Sequence, residues 1–291
     1  HWDTNQLALA TRDSSWTLST LGEEGEALSS QHPTMLVAND DLIVALVTQD
    51  DGVSESNLSL WTYDGVSLSK STIANGTDSD VQIDMVQLTN GSILVAVLAD
   101  DGTLSVYEQW PGDDNWSQHT ITQPSGIAGE FRLDLEGGAS PILAVRGNAV
   151  SSLMAMNNTG HWVAIQERPA AAVHGAWDVL HTGTHLLMLT SDPITQHLIV
   201  NTAELNGVHS GFAPWMSVQF GDVVVSEELN AMIDANGTVH MAYWDTVNDD
   251  VMILRLYEDQ DRDLVFDLMD AMPAVGDQWM NTDGDNHGDN P

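Results

Sequence analysis

The 291-residue chain contains no cysteine, only 7 lysines and arginines, and no apolar run approaching the length of a bilayer. Without cysteine there are no disulfides and no thiolate metal sites, although this leaves the compartment open. The 7 basic residues stand against 43 aspartates and glutamates, a formal charge of −36. So negative a surface repels phosphate backbones and anionic lipid and attracts cations, so nucleic acid is excluded as a partner. No stretch of about 18 apolar residues reads as a membrane-spanning helix. The chain opens at His1 without methionine or a signal-like segment and stops within GDNHGDNP, so it is expected to be part of a longer protein.

Apolar residues nevertheless make up 42% of the chain, too many for a disordered acidic polymer. They recur with a period. Short alternating segments begin at Gln6, Asn57, Thr103, Ser151, His197 and Val251. Counted from Leu7, Leu58, Leu104, Leu153, Leu198 and Met252, the steps are 51, 46, 49, 45 and 54 residues. A second strand follows, often opened by tryptophan, as in SSWTLSTL, DNWSQHTI and GHWVAIQE. Each unit also holds a hairpin of two apolar strands, such as IDMVQLTNGSILVAVLAD and AMIDANGTVHMAYWD. Asn90-Gly91 and Asn236-Gly237 predict tight turns in which both central residues take positive φ.

Four strands per unit, no helical pattern and a period near 50 residues predict an all-β fold, a β-propeller of four-stranded blades. Blades packed against one another bury both faces of each sheet, which explains the nearly continuous Val, Ile, Leu and Met of the hairpins. A β-sandwich of short strands is the alternative. The loop before HPTMLVA is expected to lead into an innermost strand, and HWDTN matches YWDTVND at Tyr243, so the chain opens inside a blade. Five blades can be counted, and a parent of six or seven is compatible with the count. The last lacks a fourth strand before the acidic tail. The propeller is assigned to residues 1–258 and the tail to 259–291.

The segments RDSSW at Arg12–Trp16 and GDDNW at Gly112–Trp116 keep part of an Asp-box, and the repeat resembles the propeller repeats of secreted and surface proteins distantly similar to the Asp-box families. For a sialidase that resemblance implies an arginine triad and a Tyr/Glu nucleophile pair. The arginines are Arg12, Arg132, Arg146, Arg168, Arg255 and Arg262, with the last two in the terminal strand and tail, which argues against such a clamp. Hydrolase or lyase chemistry by a carboxylate pair is the runner-up reading, although no pair stands out among so many acids.

His181 and His185, with His174 nearby, flank Thr-Gly-Thr and are read as cross-strand neighbours about a turn rather than as a helical metal face. Trp16, Trp116 and Trp162 sit at repeated positions and are expected to pack between blades; Trp61 and Trp110 are less regular and are the candidates for ligand stacking. Asn57, Asn75, Asn90, Asn115, Asn157 and Asn236 begin N-x-Ser/Thr sequons, which suit an exported glycoprotein but also serve as turns.

The tail has the most specific spacing. In DQDRDLVFDLMD, Asp259, Asp261, Asp263, Asp267 and Asp270 fall on positions 1, 3, 5, 9 and 12 of a calcium loop, with the carbonyl of Val265 at position 7. Leu264 occupies position 6, where glycine makes the turn. A second copy places Asn281, Asp283, Asp285, His287 and Asp289 at positions 1, 3, 5, 7 and 9. With the joining AMPAVGDQWMN, the pair resembles thrombospondin type 3 repeats and related DxDxDG arrays. The spacing predicts Ca2+ as the cofactor, and weak all-aspartate sites suit calcium-rich surroundings outside the cell.

Together these readings predict a secreted or cell-surface protein with a non-catalytic role in recognition or adhesion. Its expected partners are a glycan or another surface protein.

Overall fold

The computed structural model describes residues 7–12, 16–21, 26–28, 34–38, 41–50, 56–77, 81–99, 101–123, 132–136, 141–146, 150–157, 159–169, 177–181, 185–192, 194–204, 216–225, 229–233, 238–245, 248 and 250–256. They form a β-propeller of antiparallel blades, with no helix among the described residues. By contact the chain divides into two units, His1–Arg168 and Pro169–Pro291.

In the first unit, β1 (Leu7–Arg12) pairs with β2 (Trp16–Leu21) as a hairpin. After the short strand β3 (Glu26–Leu28), the first blade is β4 (Thr34–Ala38), β5 (Asp41–Asp50), β6 (Ser56–Tyr63) and β7 (Leu68–Thr77), with β3 also paired to β5. The second blade is β8 (Val81–Gln87), β9 (Ile93–Ala99), β10 (Leu104–Gln109) and β11 (Ser117–Gln118). The third is β12 (Arg132–Glu136), β13 (Ile142–Arg146), β14 (Val150–Met156) and β15 (Trp162–Pro169). In the second unit the fourth blade is β16 (Trp177–His181), β17 (His185–Ser191), β18 (His197–Glu204) and β19 (Met216–Val224). The fifth shows β20 (Leu229–Ile233), β21 (Val239–Asp245) and β22 (Asp250–Leu256). The expected phase is observed: each blade opens with its hairpin, the first strand paired to the second and the second to the third. Within each unit these first strands lie beside one another, β8 between β4 and β12, and β16 beside β20.

The second strands show why the sequence runs apolar without interruption. On β9, Val95 and Val97 join the first blade's Ala45, Val47, Leu58 and Leu60 in one core. Leu94, Ala96 and Leu98 point the other way, into a core with Leu143, Val145, Met154 and Trp162 of the third blade. A two-residue side-chain period thus serves two cores at once. The fourth and fifth blades repeat the arrangement, with Leu187, Leu189, Leu198 and Val200 against Val239, Met241 and Tyr243.

The seam between the second and third blades is also hydrogen-bonded. Trp162 N donates to Thr120 O at 3.0 Å and Thr122 N to Trp162 O at 2.9 Å, a parallel bridge between the two outer edges. There β11 is only two residues long, and the side chain of Gln123 continues its pairing: Leu104 N donates to Gln123 Oε1 at 2.9 Å and Gln123 Nε2 to Leu104 O at 2.8 Å.

The turns correct one expectation. At Leu88–Ser92, Gly91 N donates to Leu88 O and Leu88 N to Ser92 O; Gly91 takes φ +85° while Asn90 does not have positive φ. The loop is therefore a type I turn closed by a glycine bulge, in place of the predicted turn with two positive-φ residues. The same hydrogen-bond pair recurs at Ala99–Thr103 and Asn157–His161, with Gly102 and Gly160 in the left-handed region.

Candidate functional site

The predicted site residues separate into three groups. The calcium ligands Asp259, Asp261, Asp263, Val265, Asp267, Asp270, Asn281, Asp283, Asp285, His287 and Asp289 lie outside the described residues. Among the described residues, no cluster of three or more His, Asp or Glu side chains is placed to hold a metal ion. The histidine pair is offset: the register sets Leu186, and not His185, opposite His181, and His174 lies outside the described residues.

The two stacking candidates differ in setting. Trp61 is 5% exposed, packed with Leu42, Val44, Leu46 and Leu68, and the ammonium of Lys70 lies 5.3 Å from its ring centroid. That is cation–π covering of an aromatic that is already buried. Trp110 is 52% exposed, at the end of β10. Of the tryptophans expected between blades, Trp162 is fully buried in the seam and Trp116 packs on the core shared by the first two blades. For Trp16 only the backbone is described.

The loop that carries Trp110 is built from its sequence, WPGD. Asp113 N donates to Trp110 O at 3.0 Å, proline is second, and Gly112 has φ +78°, the marks of a type II turn. Asp113 Oδ1 then accepts Asn115 N at 3.0 Å and Asn115 Nδ2 at 3.1 Å. These bonds, the backbone N–H first, hold the Asp113 carboxyl below the usual aspartate value.

The turn rests on the neighbouring hairpin of the same blade. A Cβ on Gly91 would lie 3.2 Å from Pro111 Cγ, a tight approach that adds to the positive φ in favouring glycine there. Beneath it, Ser92 Oγ donates to Glu108 Oε1 at 2.8 Å, and His119 Nε2 lies 3.0 Å from Glu108 Oε2. Glu108 and Ser92 are buried, and His119 Nδ1 faces Gly160 O of the third blade at 3.4 Å. A largely buried polar network thus sits at the end of β10, two residues before the exposed aromatic loop.

A second set of carboxylates went unread in the sequence. Asp84 on β8 accepts Met85 N at 2.8 Å and Thr34 Oγ1 of β4 at 3.3 Å. Asp178 on β16 accepts Val179 N at 2.9 Å through Oδ1 and Ala231 N of β20 through Oδ2. Both therefore tie one first strand to the next. The signal was present in the spacing of Asp84, Asp134 and Asp178, 50 and 44 residues apart, close to the blade repeat. All three lie on first strands, where Asp84 pairs with Ala96, Asp134 with Ala144 and Asp178 with Leu189 of the second strands.

The turn aspartates form a third set. Asp64, Asp101, Asp113 and Asp192 are exposed or nearly so, and each accepts backbone N–H groups two or three residues ahead. The bonds from Ser67 to Asp64, Thr103 to Asp101 and Thr195 to Asp192 depress those carboxyls as well.

No protein-family model matches the chain, and no curated protein matches it in sequence. Solved structures do share its fold. A mutant of AofleA from Arthrobotrys oligospora is similar with a TM-score of 0.56 at 14% identity, over 85% of this chain and 75% of that one. The fucose-specific lectin from Aleuria aurantia gives 0.55 at 12% identity, over 87% and 84%. An α-L-arabinanase from Penicillium chrysogenum gives 0.53 at 10% identity, over 88% and 86%. At such identities the likeness establishes the fold alone.

Proposed function

We propose that the propeller is a non-catalytic carbohydrate-recognition module in which Trp110 is the stacking platform. The observation that carries this reading is a half-exposed tryptophan on a turn braced by Gly91, Pro111 and the Ser92–Glu108–His119 network. A rigid aromatic offers a large apolar face at little entropic cost, which suits the C–H face of a sugar ring. The similar folds of a fucose-specific lectin and an arabinanase support the choice of sugar as ligand class, since those proteins act on saccharides with this architecture.

The runner-up reading, hydrolysis by a carboxylate pair, makes a different demand. A glycosidase needs two carboxyl groups directed at a scissile bond. Asp84 Oδ1 and both oxygens of Asp178 are engaged by backbone amides and a threonine hydroxyl, which suits a strand-joining role for these two acids.

In the same reading, the tail binds Ca2+ through Asp259–Asp270 and Asn281–Asp289 as a rigid, calcium-ordered stalk on a secreted or cell-surface protein. Exposed sequons at Asn75, Asn90, Asn115 and Asn157 suit that location, whereas Asn57 is half-buried in a paired strand. A glycan array probed with the wild type and with Trp110→Ala tests the recognition site: glycans bound by the first and lost by the second are expected, and an unchanged profile refutes it. Calcium calorimetry on Asp261→Ala with Asp263→Ala tests the tail, where heats equal to wild type would remove the first loop.

A further inference from the structure

We infer that the Trp110 site selects saccharides without acidic groups and rejects sialylated, sulfated or uronate-bearing counterparts. The inference rests on the recognition reading above and adds the charge class of its ligand. The stacking surface itself is indifferent to charge, because any pyranose or furanose presents C–H groups to an indole. Selection must come from the polar groups of the same turn.

Those groups are acidic. Asp113 and Asp114 are both exposed within four residues of Trp110. Asp113 is fixed in place, since it accepts Asn115 N and Nδ2 and donates its own N–H to Trp110 O. Like any exposed aspartate it is ionised at neutral pH, and the bonds that orient its carboxyl lower its pKa further. An ionised carboxylate accepts hydrogen bonds and donates none, so it complements a sugar hydroxyl and repels a second carboxylate or a sulfate.

Recognition of an anionic sugar calls for a guanidinium or ammonium beside the ring. Among the described side chains of the first unit, the one lysine or arginine is Lys70, and it lies over Trp61 in the first blade. The whole chain adds to the local effect: with a formal charge of −36, its field disfavours anionic ligands within about a Debye length, roughly 8 Å at physiological ionic strength.

The test uses the full chain in calcium-containing buffer against matched glycan pairs, each a neutral saccharide and its sialylated or sulfated derivative, at low and high salt. The expected result is binding of the neutral member that Trp110→Ala weakens roughly five- to tenfold. Its anionic counterpart should bind about tenfold more weakly at low salt, with the gap closing at high salt. Asp113→Asn with Asp114→Asn keeps side-chain oxygens for the turn and should narrow the same gap at low salt. Trp110-dependent binding of an anionic member as tight as its neutral partner would overturn the charge selection while leaving the stacking site in place. Binding of both members unaffected by Trp110→Ala would overturn the stacking site, and this inference with it.

Discussion

Trp110 and Trp162 belong to neighbouring blades and face opposite fates. Trp162 is fully buried, bridged on both sides of its peptide to the outer edge of the second blade, and packed among Leu104, Val106, Leu143 and Met154. Trp110 stands half-exposed on a turn whose proline lies close against Gly91 of the neighbouring hairpin. The two indoles are chemically identical, so the difference lies in their supports: one is held by what covers it, the other by what it stands on.

Substitutions can break this comparison. Trp162→Ala should be the most damaging, lowering the unfolding free energy by about 3–5 kcal/mol, with little effect on the glycan affinity of the molecules that remain folded. Chemical denaturation alongside binding measurements separates the two readouts. Next comes Asp84→Ala, which strands the Met85 amide and the Thr34 hydroxyl of an adjoining strand; a loss of about 1–3 kcal/mol is expected by the same method. A stability equal to wild type would remove the tie between first strands.

The turn aspartates give a smaller, pH-dependent effect. Their folded-state carboxyls are depressed, so their contribution is fully present above the unfolded aspartate pKa, about 3.9, and is lost as pH falls through the folded values below it. Replacing Asp64, Asp101, Asp113 and Asp192 by asparagine keeps an acceptor oxygen but removes the titration. The melting temperature of this variant should depend less on pH below about pH 4 than that of the wild type. Parallel acid limbs in the two proteins would contradict this account.

The blades were legible because their signal is periodic. Steps near 50 residues, tryptophan-opened outer strands and unbroken apolar hairpins all arise from one geometry, a sheet buried on both faces. The place of TMLVA as the first strand of its blade and the three described strands of the last blade follow from the same phase. Trp61 was misjudged because its irregular position suggested the surface. Its burial depends on Leu42, Val44 and Leu46 of an adjacent strand and on Lys70 above, neighbours brought together only by strand register.

Asp84 and Asp178 were hidden for a different reason. In a chain with 43 acids, a carboxylate used to join strands looks like one used for solubility until its donors are seen. The turn at Asn90-Gly91 shows the limit of short motifs. The dipeptide specifies a positive φ at glycine, whereas the length of the loop, set by Leu88 and Ser92, decides whether one residue or two adopt it.

The central claim is that Trp110 binds and does not hold the fold together. Titration calorimetry with the strongest neutral saccharide, on wild type and Trp110→Ala, tests it most directly when paired with melting curves of both proteins. Affinity lower by roughly five- to tenfold and a melting temperature unchanged within error are expected. Equal affinities, or a loss of binding that follows a loss of stability, would contradict it.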